Sequence, residues 1–201
     1  MNFKNILSAA AAVFVFGATP AFASWQVDNS QSDFHFVTTK AGKPGSTAIE
    51  EVQAFKEVKG KVEDDGNIEF SVNLASVDTN IPLRDQRIKD MLFNVVANPR
   101  ATFSGKVNTA DLKKISTGGV HDIELAGQLT LCGQTKPVNA KLRVVSLGGN
   151  GILVSTRAPL IVSAGDFGIQ AGVDAMREVM GLNVLSSSVP VSFSVVFKPA
   201  K

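Results

Sequence analysis

The feature that most constrains this chain is a period of two that returns in segment after segment. Ile68, Phe70, Val72 and Leu74 fall on one side of a stretch whose other side carries Glu69, Ser71, Asn73 and Ala75. Ile123, Leu125, Gly127, Leu129 and Leu131 share a face. Val138, Ala140, Leu142 and Val144 do the same against Asn139, Lys141 and Arg143, and so do Val189, Val191, Phe193, Val195 and Phe197. Alternation of this kind marks strands with one apolar and one wet face. Asp33 to Lys40 opens the series with Phe34 and Phe36 on one side, and Phe55 to Val62 reads as a further strand. Polar, glycine-containing clusters at Glu63–Gly66, Thr117–Gly119, Gly133–Lys136 and Leu147–Gly151 turn the chain at hairpin spacing. Asn29 to Ser32 is a turn-prone cluster, and the stretch from Lys40 to Phe55 reads as a long loop.

Two short helices interrupt the strands. Pro82 has no N–H to give to a ladder, so Ile81-Pro82-Leu83 ends pairing. Ile88, Met91 and Leu92 then follow at helical spacing. Val173, Met176, Val179 and Met180 repeat that spacing before Gly181, which stops the helix. About eight consecutive antiparallel strands with hairpin connections specify an all-β fold, a closed β-barrel or a sandwich. Closure removes exposed edges, and an eight-stranded barrel can hold one small ligand, as in lipocalins.

The first 23 residues stand apart. Lys4 precedes an apolar run from Ile6 to Phe16, and Ala21-Phe22-Ala23 fits a small-x-small cleavage pattern. This order predicts a signal peptide, cleavage before Ser24, a periplasmic destination, and one domain over 24–201. The run is shorter than a membrane span needs. Lys4 is the only charged residue of the leader, so its removal lowers the net charge from +2 to +1. That balance, with Lys and Arg dispersed, gives no reason to expect nucleic acid as a partner. Cys132 is the only cysteine, which excludes an intramolecular disulfide and points to a buried structural thiol. His35 and His121 have no paired spacing with other ligands, so neither a metal site nor another cofactor is expected. No motif of a serine hydrolase or a phosphate-binding loop is present, so no catalytic residues are assigned.

The candidate site is the inner wall. Phe34, Phe36, Phe70, Val72, Leu74, Leu92, Phe93, Phe103, Leu129, Leu131, Val191, Phe193 and Val195 would face the bore. The same residue types build filled cores and cavity walls, so periodicity leaves both readings open. Arg84 and Asp85 suit either a helix-capping ion pair or a polar gate at the mouth. Met176 and Met180 suit either a lid or a helix packed outside.

The order of short motifs resembles the YceI-like family. Trp25-Gln-Val-Asp28 with Ser32 to Phe36, Val58-Lys-Gly60-Lys-Val62, and Leu74-Ala-Ser76-Val-Asp-Thr79 followed by Arg84-Asp85 match its opening, second strand and most specific signature. Leu92-Phe93, Asn98-Pro99 and Thr102-Phe103 continue the match. So do Leu125 to Gly133 with Thr135-Lys136-Pro137-Val138, and Asp166-Phe167-Gly168. Thr38-Thr39-Lys40 stands where many relatives carry a histidine. The resemblance implies a lipocalin-like barrel that binds a polyisoprenoid or fatty-acyl lipid in the periplasm, without chemistry of its own and compatible with a homodimer. The alternatives are a filled barrel acting as a stress-related interaction module and, less favoured, a lipid-modifying enzyme. The inward faces hold no base or oxyanion donor for the latter.

Overall fold

The computed structural model describes residues 24–200; the stretch expected to be a leader lies outside them. The chain runs β1 (Trp25–Ala41), β2 (Ile49–Phe55), β3 (Val58–Val62), β4 (Asn67–Asn73), β5 (Val77–Asp78), α1 (Pro82–Arg87), β6 (Arg100–Lys106), and α2 (Thr109–Ser116). The second half continues as β7 (Val120–Leu131), β8 (Gln134–Ser146), β9 (Ile152–Thr156), β10 (Leu160–Ser163), α3 (Gln170–Val179), β11 (Val184–Leu185), and β12 (Ser188–Pro199). All strand pairs are antiparallel, and β1, β3, β4, β6, β7, β8, β9 and β12 close a ring through the β1–β12 pair. The closed barrel expected from the alternation is therefore the architecture, with four short strands added to it.

Several local expectations are corrected. Asn29 to Ser32 does not turn the chain. It bulges within the 17-residue β1, where the register to β12 shifts between Asp28 and Asp33. Phe55 to Val62 is not one strand, because Lys56 and Glu57 break it between β2 and β3. Asn29 bridges the break: its Oδ1 accepts from Val58 N at 2.7 Å and its Nδ2 donates to Lys56 O at 2.8 Å. These side-chain bonds stand in for ladder bonds that the backbone lacks at the break.

Lys40 to Phe55 is a loop only over residues 42–48. Ile49 to Phe55 pairs along the outer half of β1 from His35 to Lys40. Its pattern is inverted, with Glu51, Gln53 and Phe55 inward and Val52 exposed on the other face, so the usual periodicity is absent. The β7–β8 turn is Cys132-Gly133, not Gly133 to Lys136: both residues have positive φ and Gln134 already pairs with Leu131. A third helix, α2, begins at Asn108, whose Oδ1 accepts from Asp111 N, a side-chain N-cap.

Two apolar clusters fill the ends of the barrel. At one end α2 buries Leu112 and Ile115 against Ile123, Leu142 and Val144 and plugs the ring. At the other, Leu74, Ile88, Phe93, Leu131, Phe167 and Met176 pack together. Here α1 continues directly into a π-helical turn, Ile88–Phe93, ending at the left-handed Asn94. The wider turn brings Ile88, Leu92 and Phe93 toward the barrel and leaves Met91 outside. α3 crosses this turn at Gly172, where a Cβ would lie 2.7 Å from Met91 O. Only glycine allows that backbone approach.

Candidate functional site

Between the two clusters the side chains leave a cavity of about 390 Å³. Its wall comes from the inward positions of the alternating strands. Phe34, Phe36, Phe70, Val72, Leu74, Phe103, Leu129, Leu131, Val191, Phe193 and Val195 all line it, and so do Leu92 and Phe93 from the π-helical turn. Phe34, Phe36, Phe70, Phe103, Leu129 and Phe193 point inward yet keep partial exposure, so they bound space instead of filling it. Val195, by contrast, is completely buried.

The aromatic rings form a continuous track. Phe34 stacks on Phe193 with centroids 5.8 Å apart and lies 6.1 Å from Phe70. Phe34 also meets Phe55 edge-on at 6.2 Å, and Phe55 reaches Phe36 at 5.3 Å and Phe93 at 6.2 Å. Offset and edge contacts at these spacings are favourable beyond simple burial. Phe103 is held flat against the wall by the Gly105–Gly127 pair on β6 and β7. A Cβ at Gly127 would lie 2.3 Å from the Phe103 ring and 2.4 Å from Ser104 O. The two glycines thus keep a large ring at the perimeter and the centre of the bore clear.

Polarity rises toward the α1 end of the barrel. The register pairs Phe36 with Gln53 and Thr38 with Glu51, and Lys40 continues the same inward face. Thr38, Lys40, Glu51 and Gln53 all line the cavity there. Arg84 reaches in from α1. Its Nη1 lies 2.6 Å from Glu51 Oε2, and its Nη2 donates to Thr79 O at 2.7 Å and Gln53 Oε1 at 3.4 Å. Lys40 Nζ sits 2.9 Å from the same Glu51 oxygen. Burial disfavours ionisation of Glu51, but the Lys40 ammonium and the Arg84 guanidinium outweigh it and hold the carboxyl below its ordinary range. Gln53 is only 3% exposed, and its amide donates to Thr38 Oγ1 at 3.4 Å. The Arg84 Nε–H is buried and has no partner among the described residues.

Asp85 does not line the cavity; its carboxylate accepts from Thr79 N at 2.9 Å and from Thr79 Oγ1. It ties the chain before α1 to the helix and so fixes where Arg84 points. Met176 and Met180 both line the cavity and pack in the apolar cluster of that end, so α3 covers part of the barrel end and does not lie along the outer wall. Cys132 is half-buried against the π-helical turn, its Sγ 3.7 Å from Phe93 O. Burial raises its thiol pKa. Thr38, Lys40, Glu51 and Gln53 were missed from sequence. Thr38 and Lys40 extend the Phe34–Phe36 alternation, which was the available signal; Glu51 and Gln53 become visible only once β2 is placed beside β1.

The model of the YceI-like domain matches residues 25–197. The chain is 34% identical to a UPF0312 protein of Pectobacterium carotovorum over 40% of its own length and 38% of that relative. It is 27% identical to protein YceI of Escherichia coli over 72% of this chain and 74% of that one. Over the first few curated relatives it matches, the chain spans from 38% to 65% of their length. A solved polyisoprenoid binding domain from Saccharophagus degradans, implicated in plant cell wall breakdown, superimposes with a TM-score of 0.81 at 27% identity. That match covers 89% of this chain and 99% of the other. With the family match running from the first barrel strand into the last, this chain belongs to the YceI-like family.

Proposed function

We propose that the barrel is a carrier that holds one long apolar chain, of prenyl or fatty-acyl type, along its bore in the periplasm. The observation that carries this reading is the cavity itself: about 390 Å³, walled by phenyl and aliphatic side chains, plugged by α2 at one end and polar at the other. Ligand pockets of small molecules begin at about 300 Å³ and are mostly apolar with a few placed polar groups. The similarity to a polyisoprenoid binding domain supports the same class of cargo. The leader-like first 23 residues support export. No catalytic step is needed for this role, and apart from the Arg84 Nε–H the charged groups of the site are engaged with one another in ion pairs and hydrogen bonds.

A second reading, an interaction module, draws support from the exposed Ile49 and Val52 on β2 and Ile81 and Leu83 at the start of α1. One titration separates the two. A fluorescent long-chain alcohol added to the mature protein should bind saturably at one site per barrel, with emission shifted as in an apolar medium. Absence of saturable uptake would overturn the carrier reading in favour of the module.

A further inference from the structure

The buried polar end of the bore carries more information than the apolar wall. Arg84 has five N–H donors in a planar fork. The pair that would grip a phosphate or carboxylate is already committed, Nη1 to Glu51 and Nη2 to Thr79 O and Gln53. Three of the five donors are used in this way; besides the second Nη1 hydrogen, Nε–H remains, buried and without a partner among the described residues, on a side chain that lines the cavity. An unpaired buried donor is costly to leave unmet, so the cavity's occupant is its natural acceptor.

We propose that this end of the bore selects cargo whose head presents one neutral hydrogen-bond acceptor, such as a hydroxyl, ether or carbonyl oxygen, and discriminates against anionic heads. The proposal rests on the carrier reading above and deepens it. Lys40, Glu51 and Arg84 together carry a net charge of +1, so bulk charge does not exclude an anion; geometry does. Glu51 stands between both cations, with one oxygen 2.9 Å from Lys40 Nζ and 2.6 Å from Arg84 Nη1. An anion reaching Arg84 would meet that carboxylate in a half-buried site, where like charges are less screened than in bulk water. It would also have to break the existing fork to bind bidentately. A neutral oxygen satisfies Nε–H without disturbing either ion pair.

The test uses two probes with the same chain, farnesol and farnesyl phosphate, competed against a fluorescent long-chain alcohol on the mature protein. The alcohol should bind at least about tenfold more tightly, the value of one well-placed hydrogen bond with repulsion added to it. Glu51→Gln should narrow or reverse that ratio, and Arg84→Met should weaken the alcohol about tenfold. Equal or tighter binding of the phosphate by the unmodified protein overturns the proposal, and that comparison needs no variant to fold. A ratio unmoved in a folded Glu51→Gln protein also overturns it. Failure of both probes to bind is a different result, because it removes the carrier reading underneath.

Discussion

Replacing Leu129 by tryptophan should close the bore without dissolving the barrel. Leu129 lies on β7, faces the cavity, keeps partial exposure there and sits beside Phe103 in the β6–β7 register. A water-sized group takes about 30 Å³, so 390 Å³ has room for on the order of a dozen chain groups. Each methylene withdrawn from water contributes about 0.8 kcal/mol. Each chain group that the indole ring keeps out removes about 0.8 kcal/mol, so displacing only three of them, about 2.4 kcal/mol, weakens binding by more than about tenfold. The fold should lose only the usual overpacking cost of about 1–3 kcal/mol, because the ring grows into existing space. The assay is a titration with a fluorescent long-chain alcohol, run beside a urea denaturation of each protein. An unchanged affinity in a folded Leu129→Trp variant refutes the placement of cargo along this wall.

Other consequences follow from the same geometry. Glu51 has a depressed carboxyl pKa in the folded state, so its stabilisation is complete above the ordinary value of 4.5 and is lost as the pH falls below it; urea midpoints should drop in that window for the native protein and less steeply for Glu51→Gln. The raised pKa of the half-buried Cys132 thiol keeps thiolate scarce at neutral pH, so alkylation by iodoacetamide should be slow and should quicken only above the ordinary thiol range; fast labelling at pH 7 would contradict that environment. Leu112→Ala should destabilise the plugged end by about 2–5 kcal/mol in urea denaturation, since Leu112 is 5% exposed and sits in the core cluster under α2. N-terminal sequencing of exported protein should begin at Ser24; a chain retaining Met1 would overturn the leader assignment.

The ring strands were legible because nature of face and register coincide in them. From Ile123 to Leu131 on β7, Val138 to Val144 on β8 and Val189 to Phe197 on β12, every second residue is apolar or glycine and faces the interior, so periodicity alone identifies the wall. The same logic hid β2. Its inward positions before Phe55 are Glu51 and Gln53, while Val52 is exposed, because that part of the strand lines a polar end and not a core. The residues that shape the mouth were therefore obscured by the property that makes them informative. α2 was missed for a simpler reason: with only Leu112 and Ile115 buried in eight residues, it has too short an apolar stripe to stand out from a loop. Residue type placed Arg84 and Asp85 together, but only the hydrogen bonds separate them, with Asp85 closing onto Thr79 and Arg84 entering the cavity. Whether the phenyl rings filled or walled the interior depended on Gly105 and Gly127, whose small size lets Phe103 lie flat. No pattern of alternation distinguishes a glycine that makes room from one that merely interrupts a strand.

Native mass spectrometry of the protein, exported and purified without detergent, shows directly whether the barrel carries cargo. One bound long-chain species per barrel is expected, released on denaturation, extractable into organic solvent, and absent from the Leu129→Trp variant. A wild-type barrel that repeatedly shows only its own mass, and gains none on incubation with a long-chain alcohol, would contradict the carrier reading.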